Sequence, residues 1–565
     1  MTHRILITTA IAFFLGACSA GENETPAELS DTAIIVGNIL TMNPDRPLVK
    51  SMLIDIDGGF IIGLNDQEVL IPQDDEMKVI DLRGQTILPG FIDSHVHVRE
   101  LGMDRIKANL VGVETAEDIV ERLQVLFPNP EPGTWLIGQG WDEGAFASRG
   151  YPDRAALDSA FPNNPVALES LHGFGGFYNG KALEIAGITA KTEDPEVGDI
   201  LRRADGSPTG VMLTLAQDIV DQHIPKPSQA KLEEAIVAGL TEMSEAGVTS
   251  IHEAGMTAAD VTAFRHLGDR GELPIRVYGL LDGNDKQLMD KWLSYGIMDD
   301  PEDWIDIRGI KVFYDGSLGS RTALMAEPYS DKPDAARPTE RISPKRLQEL
   351  ADEAAAKGYQ MAVHAIGDEG NNRTLGIYEN ALNGRTDARW RIEHAQVVLP
   401  DYYERAAALG VLSSVQSSHA VGDSAWAEDR VGPDRIKNAY AWQTILGAGG
   451  ELMLNSDLPG EPWTPMETLH FAVNRQKLDG TPEGGWYAEQ ALSVQEALKA
   501  MIITNAYGAF QNADIGSLEV GKRADFVVLD KDPTRVEPST LKDIKVTATW
   551  VDGKRVYSAD GASKD

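Results

Sequence analysis

The chain has 565 residues, of which 42% are hydrophobic and 24% are charged, so it is a globular protein too long for one ordinary core. Its formal net charge of −36 argues against nucleic acid as a partner, because the protein would repel phosphate. We therefore expect a large domain accompanied by a smaller one and no nucleic-acid partner.

The N-terminus has the pattern of an exported protein. His3 and Arg4 precede the largely apolar residues 5–17, which are too few to span a bilayer but fit a signal-peptide core. The tetrapeptide LGAC, which ends at Cys18, resembles a bacterial lipobox, whose cysteine carries a lipid and becomes the first residue of the mature protein. We predict a signal peptide at 1–17; an ordinary cleaved signal with an incidental cysteine is the alternative.

The segment 18–31 that follows is small, polar and acidic, and it predicts a flexible, lipidated tether. Cys18 is the only cysteine, so no disulfide can form within the chain even after export. We expect a periplasm-facing protein that is held to a bacterial membrane through a lipid on Cys18.

Both ends of the mature chain predict β-structure. Residues 32–88 and 510–560 contain short strands with alternating apolar positions, and each segment has an Asp-Gly pair, Asp57-Gly58 and Asp552-Gly553, of the kind that makes a hairpin turn. The two segments together predict one small β-sandwich domain built from both chain ends.

The middle of the chain, residues 89–509, alternates apolar runs with helical patterns, which is typical of a parallel sheet. Eight candidate strands can be counted: PGFIDSH (89–95), VTSIHE (248–253), IRVYGLL (275–281), IRGIKVFY (307–314), YQMAVHA (359–365), RWRIEHA (389–395), GVLSSVQ (410–416) and ELMLNSD (451–457). Eight such repeats predict a (β/α)8 TIM barrel. The long interval 98–247 after the first strand predicts an insertion with strands of its own.

Polar residues that can bind a metal stand at the ends of several predicted strands. They are His95 and His97 on the first strand, Lys311 on the fourth, His364 on the fifth, His394 on the sixth and Asp457 on the eighth. The chain has only 11 histidines, and four of them are in this set. Because the active site of a TIM barrel lies at the C-terminal ends of its strands, these residues are expected to meet.

Neutral imidazoles and a carboxylate suit zinc or a similar divalent ion, with one or two ions bound. Such an ion lowers the pKa of a bound water to about 7, so that hydroxide becomes available at neutral pH. Asp457 can take the proton of that water and pass it to a leaving amine, as a general base that becomes a general acid.

The motifs PGFIDSHVH, IKVFYDGSLGSRTA, HAIGD, RIEHAQ and NSDLP together resemble those of the metal-dependent amidohydrolase superfamily. They most resemble its formamide-deformylase-like branch, whose members hydrolyse N-acyl or N-formyl amides. The resemblance implies a TIM barrel with a β-sandwich, and hydrolysis of a non-peptide carbon–nitrogen bond in a small amide. It also implies that His95 and His97 bind one ion with Asp457, that His364 and His394 bind a second, and that a carboxylated Lys311 bridges the two.

The residues alone leave several alternatives open. An unmodified lysine cannot ligate a metal, so Lys311 could instead form an ion pair with Asp315, leaving a single ion. The same site would serve an ester, lactone or phosphotriester hydrolase, and a non-catalytic metal-binding lipoprotein could retain the fold. The other histidines have no motif support, and we interpret them as structural, packing or surface residues: His172, His223, His252, His266, His419 and His470.

Overall fold

The structure is a computed structural model that describes residues 32–67, 78–141, 151–170, 175–195, 198–213, 216–302, 304–319, 321–334, 338 and 340–561. The predicted signal peptide, the tether with Cys18, and His172 lie outside the described residues. Two units can be distinguished, Met1–Val98 with Leu240–Asp565 and, separately, Arg99–Gly239. None of the helices in the described ranges is long and apolar enough to cross a membrane.

The strands in the described ranges are numbered in chain order: β1 (Thr32–Leu40), β2 (Leu48–Asp55), β3 (Phe60–Asn65), β4 (Lys78–Pro89), β5 (Phe91–Val96), β6 (Ala108–Asn109), β7 (Leu136–Trp141), β8 (Val166–Ser170), β9 (Gly175–Tyr178), β10 (Asp199–Arg202), β11 (Pro208–Leu213), β12 (Val248–Met256), β13 (Arg276–Asp282), β14 (Ile305–Phe313), β15 (Gln360–Ala365), β16 (Arg391–His394), β17 (Leu412–Gln416), β18 (Glu451–Asn455), β19 (Phe526–Leu529), β20 (Val546–Val551) and β21 (Lys554–Ser558).

The α-helices in the same ranges are α1 (Val98–Ile106), α2 (Ala116–Leu126), α3 (Ala155–Ala160), α4 (Gly180–Ile185), α5 (Asp218–Asp221), α6 (Gln229–Glu245), α7 (Ala258–Asp269), α8 (Lys286–Tyr295), α9 (Pro344–Lys357), α10 (Asp368–Leu382), α11 (Tyr402–Leu409), α12 (Ser417–Asp423), α13 (Ala427–Arg435), α14 (Trp442–Gly447), α15 (Pro465–Asn474), α16 (Val494–Leu498) and α17 (Thr504–Gly508). Shorter 3-10 turns cover Ile436–Asn438, Ala488–Gln490 and Pro538–Asp543, and Lys499–Ile503 is a π-helical turn.

The predicted TIM barrel is confirmed, and each of the eight predicted strands is one of its strands. The parallel sheet runs in the order β5, β12, β13, β14, β15, β16, β17, β18. Between its first and last strands the barrel is closed by a parallel bridge from Val96 to Leu458 and by a 2.9 Å hydrogen bond from Asp457 N to His95 O. The strands are buried on both faces, and this is why they are near-continuous apolar runs in the sequence.

The two chain ends form one β domain, as predicted. Its seven strands are hydrogen-bonded in the order β21, β20, β19, β4, β1, β2, β3, so that the three C-terminal strands join the four N-terminal strands in one sheet through the β19–β4 pair. Asp552 and Gly553 both have positive φ, 55° and 73°, as the two-residue hairpin turn between β20 and β21 requires. The core of this β-sandwich includes a stacked pair of rings, Phe526 and Trp550, with centroids 4.8 Å apart.

The predicted insertion after the first barrel strand is also confirmed. Within Arg99–Gly239 the structure describes a six-stranded sheet in the order β10, β11, β9, β8, β7, β6. This sheet has a hydrophobic core of its own around Trp141, which is fully buried and donates its indole N–H to Leu168 O.

Candidate metal centre

The C-terminal ends of the barrel strands bring the predicted ligands together. His95 lies near the end of β5, Lys311 lies on β14, His364 on β15 and His394 at the end of β16, while Asp457 follows β18 by two residues. His394 and Asp457 have left-handed backbones, with φ of 77° and 56°. Such conformations cost about 1–3 kcal/mol each and are found most often at functional sites.

Asp457 is the residue on which the imidazoles converge. Its Oδ1 lies 3.4 Å from His95 Nε2 and 3.3 Å from His97 Nε2. Its Oδ2 lies 3.8 Å from His394 Nδ1. One nitrogen each of His95 and His394 and one oxygen of Asp457 all lie within 4.8 Å of one another, which is the spacing of a group that can hold a metal ion.

The protonation of these groups suits a cation. Burial and the Lys311 ammonium lower the pKa of His95 to about 4, and burial lowers the pKa of His394 well below its ordinary value, so both rings are neutral at pH 7. Burial alone would raise the pKa of Asp457, but the facing imidazoles hold it well below its usual range. The His95 Nε2 nitrogen lies 3.4 Å from the Asp457 carboxylate, and a neutral imidazole and a carboxylate are both suitable ligands for a divalent ion.

His95 is oriented by a buried carboxylate. Its Nδ1 lies 2.5 Å from Glu393 Oε2, and both side chains are fully buried. A histidine that donates Nδ1–H to a carboxylate presents Nε2 as a lone pair, which is a common arrangement behind metal-binding imidazoles. Here that lone pair is directed at Lys311 Nζ, 2.9 Å away.

Lys311 does not form the alternative ion pair with Asp315 among the described contacts. Its Nζ is buried beside His95 and lies 4.4 Å from the centre of the Phe313 ring. Asp315 instead accepts backbone N–H groups from Leu324, Ile366 and Gly367 at 2.9–3.0 Å. Burial lowers the pKa of Lys311 to about 8, which brings the neutral amine within reach near neutral pH.

His364 lies next to His394, with ring centroids 4.4 Å apart. Its Nε2 is 3.2 Å from Gly316 O and 3.4 Å from Asp315 Oδ1, so this nitrogen carries the proton and Nδ1 has the lone pair. Burial lowers the pKa of His364 to about 3, so the ring is neutral. The predicted second pair of ligands, His364 and His394, is therefore adjacent in the structure, and His394 also belongs to the tight group with His95 and Asp457.

His419 was not among the predicted ligands, yet it stands at the same site. Its Nε2 lies 3.8 Å from Asp457 Oδ2, and its ring stacks on His394 at a centroid distance of 5.8 Å. It follows the end of β17 by three residues, in the first turn of α12. A search of the turn after each strand, as well as the strand itself, would have found it. By contrast, the fully buried His252 accepts a hydrogen bond from Arg391 and has a structural environment.

Comparisons with known proteins agree with this geometry. Residues 78–557 match the model of a family described as the amidohydrolase family. The chain is 31% identical to YtcJ of Bacillus subtilis (strain 168) over 489 residues, 85% of this chain and 91% of that protein. It is 26% identical to N-substituted formamide deformylase of Arthrobacter pascens over 569 residues, 95% of this chain and 100% of that enzyme.

A solved structure has a similar fold along most of its length. An uncharacterized metal-dependent hydrolase from Pyrococcus horikoshii OT3 has a TM-score of 0.73 and 28% identity, covering 90% of this chain and 99% of its own. The family match covers well over half of the chain, and it includes the barrel and the strands β4, β19 and β20 of the β-sandwich. The chain therefore belongs to the amidohydrolase family of metal-dependent hydrolases, in its formamide-deformylase-like branch.

Proposed function

We propose that this hydrolase cleaves a non-peptide carbon–nitrogen bond in a small N-acyl or N-formyl amide. The observation that carries the proposal is Asp457, an ionised carboxylate with imidazoles facing both of its oxygens at the C-terminal end of the barrel. The likeness to N-substituted formamide deformylase over the whole length of that enzyme supports the choice of amide.

The donor set would hold one or two divalent ions, with zinc expected. His95, His97 and Asp457 would hold the first, and His364 and His394, with Lys311 in carboxylated form, would hold the second. When bound, such an ion acts as a Lewis acid, which lowers the pKa of water and polarises a carbonyl.

Asp457 would move the proton. Its carboxylate can accept a proton from the attacking water and return it to the leaving nitrogen, the general base and general acid steps of amide hydrolysis. The side chains of His97 and His419 are 27% and 23% exposed, whereas Lys311 and Glu393 are fully buried. Water and substrate would therefore approach from the side of His97 and His419.

A panel of substrates tests the proposal. The purified protein is incubated, with and without a chelator, with N-formyl and N-acyl amines, carboxylic esters, lactones and phosphotriesters. Metal-dependent release of a free amine is the expected result. Cleavage of esters or phosphotriesters without any amide, or no cleavage at all, would contradict it.

Replacement of Lys311 tests the second ion. Lys311→Ala is expected to lose one metal equivalent and most activity, and to regain some activity with added short carboxylates that occupy the vacated space. Lys311→Met fills that space, so it should lose the same equivalent without rescue. Metal content by elemental analysis is the measurement, and full content in both variants would refute the bridging role.

We also propose that the protein is exported and anchored to a bacterial membrane by a lipid on Cys18. Cys18→Ala is expected to move the protein from the membrane to the soluble fraction, because the predicted anchor needs the thiol. Ser19→Ala leaves the cysteine intact and should remain with the membrane. Fractionation followed by immunodetection gives the answer, and unchanged membrane association of Cys18→Ala would count against the anchor.

A further inference from the structure

Four buried polar side chains connect His95 to His394 behind the metal centre. They lie on three neighbouring barrel strands, β16, β17 and β18, and none is more than 3% exposed. We call them the polar bridge: Glu393, Ser414, Asn455 and Gln416.

The hydrogen bonds of the polar bridge have one consistent direction. Gln416 Nε2 donates to Asn455 Oδ1 at 2.6 Å, so Gln416 Oε1 is the atom that faces His394 Nδ1 at 2.9 Å. An amide oxygen only accepts, and therefore His394 Nδ1 carries a proton. Asn455 Nδ2 donates in turn to Ser414 Oγ at 2.9 Å.

The other end of the polar bridge is a charged acceptor. The Ser414 hydroxyl donates to Glu393 Oε2 at 2.6 Å, and His95 Nδ1 donates to the same oxygen at 2.5 Å. Arg391 forms an ion pair with the second oxygen of Glu393 and also donates to Ser94 O at 2.9 Å. A buried carboxylate paired in this way remains an acceptor, so His95 Nδ1 also carries a proton.

Both imidazoles therefore have the same tautomer, with Nε2 left as the lone pair. From this we infer that the polar bridge positions His95 and His394 together, so that the two predicted ion positions share one orienting network. The inference rests on the proposed function only in taking these two imidazoles as metal ligands. Because they act through the imidazoles, we assign four positioning residues: Glu393, Ser414, Asn455 and Gln416.

Breaking the polar bridge should weaken metal binding more than it weakens the fold. Loss of one member leaves a buried polar atom without its partner and frees a ligand ring to rotate. Loss of an outer partner of a ligand histidine commonly lowers metal affinity by about 10- to 100-fold. The loss of metal affinity should be similar whether the polar bridge is broken near His95 or near His394, because one break interrupts the whole network.

Two adjacent serines on β17 provide a matched pair of variants. Ser413 is also buried, but its Oγ contacts Tyr402 OH at 2.9 Å and not the polar bridge. Ser414→Ala is expected to raise the zinc dissociation constant, measured by chelator competition, by about 10-fold or more. Ser413→Ala should lower the melting temperature of the metal-free protein to a similar extent and leave zinc affinity unchanged.

A second variant changes the end of the polar bridge that contacts His394. Gln416→Met removes the acceptor of His394 Nδ1 with little change in volume, and it should weaken zinc binding in the same way. The double variant, which combines Ser414→Ala with Gln416→Met, should bind zinc as tightly as whichever single variant binds it less tightly. The absorption spectrum of the cobalt-substituted protein should change in Ser414→Ala and Gln416→Met and stay unchanged in Ser413→Ala.

Zinc affinity is measured without substrate, so two failures can be told apart. If the wild-type protein binds zinc and cleaves no amide, the proposed function fails and the polar bridge is still tested. If Ser414→Ala binds zinc as tightly as Ser413→Ala, the inference about the polar bridge is overturned and the proposed function is unaffected. A wild-type protein that binds no divalent ion would overturn both.

Discussion

Asp457→Asn is expected to lower kcat/KM for amide hydrolysis by about 10²- to 10⁴-fold, the usual contribution of a general acid and base. The substitution keeps the shape of the side chain but removes the negative charge that faces the imidazoles of His95 and His97. The amide can neither take the proton of the attacking water nor return it to the leaving nitrogen. Steady-state kinetics with the best amide of the panel, at saturating metal, is the measurement.

Asp306→Asn is the matched control for that variant. Asp306 is also a buried carboxylate of the barrel, but it stands at the N-terminal end of β14 and accepts from Gln511 at 2.7 Å. Its replacement should lower stability, because it removes a buried hydrogen-bond acceptor, and should leave kcat/KM within about 2-fold, because Asp306 lies at the end of the strand away from the metal centre. Equal losses in the two variants would show that Asp457 has no special part in the reaction.

Removal of the divalent ion is expected to abolish hydrolysis and to destabilise the protein at the same time. An ion present at about 1,000 times its dissociation constant stabilises the folded state by about 4 kcal/mol, and a chelator removes that contribution. Added zinc should restore both activity and melting temperature, as followed by calorimetry and amine release.

His95→Gln tests whether this stabilisation comes from the predicted site. The variant is expected to lose the zinc-dependent rise in melting temperature. His470→Gln replaces another buried histidine, whose contacts are Asn474 and Lys477 O, and it should keep the response to zinc. A full zinc response in His95→Gln would place the binding site elsewhere in the chain.

Most of the candidate site could be predicted because parallel barrel strands end at one face. That rule alone brings His364 on β15 and Asp457 after β18 to the same place from positions that are far apart in the sequence. The hairpin at Asp552-Gly553 was predictable for a local reason, since Asp-Gly adopts positive φ readily.

Glu393 and His419 could not be predicted by the same rule. Strand alternation sends Glu393 and His394 to opposite faces, but the left-handed backbone of His394, with φ of 77°, breaks the alternation, and both side chains contact the site. His419 belongs to a helix, and its position depends on how α12 leaves β17. The pairing of the insertion strands is likewise set by long-range register, which local pattern does not encode.

The central claim is that the C-terminal end of the barrel binds a catalytic divalent ion between the imidazoles and Asp457. Anomalous X-ray diffraction from crystals of the zinc-loaded protein tests this most directly. We expect an anomalous peak at about 2.0–2.2 Å from a nitrogen of His95, a nitrogen of His97 and an oxygen of Asp457. Well-ordered side chains with no peak between them, and Lys311 Nζ still in contact with His95 Nε2, would contradict the account.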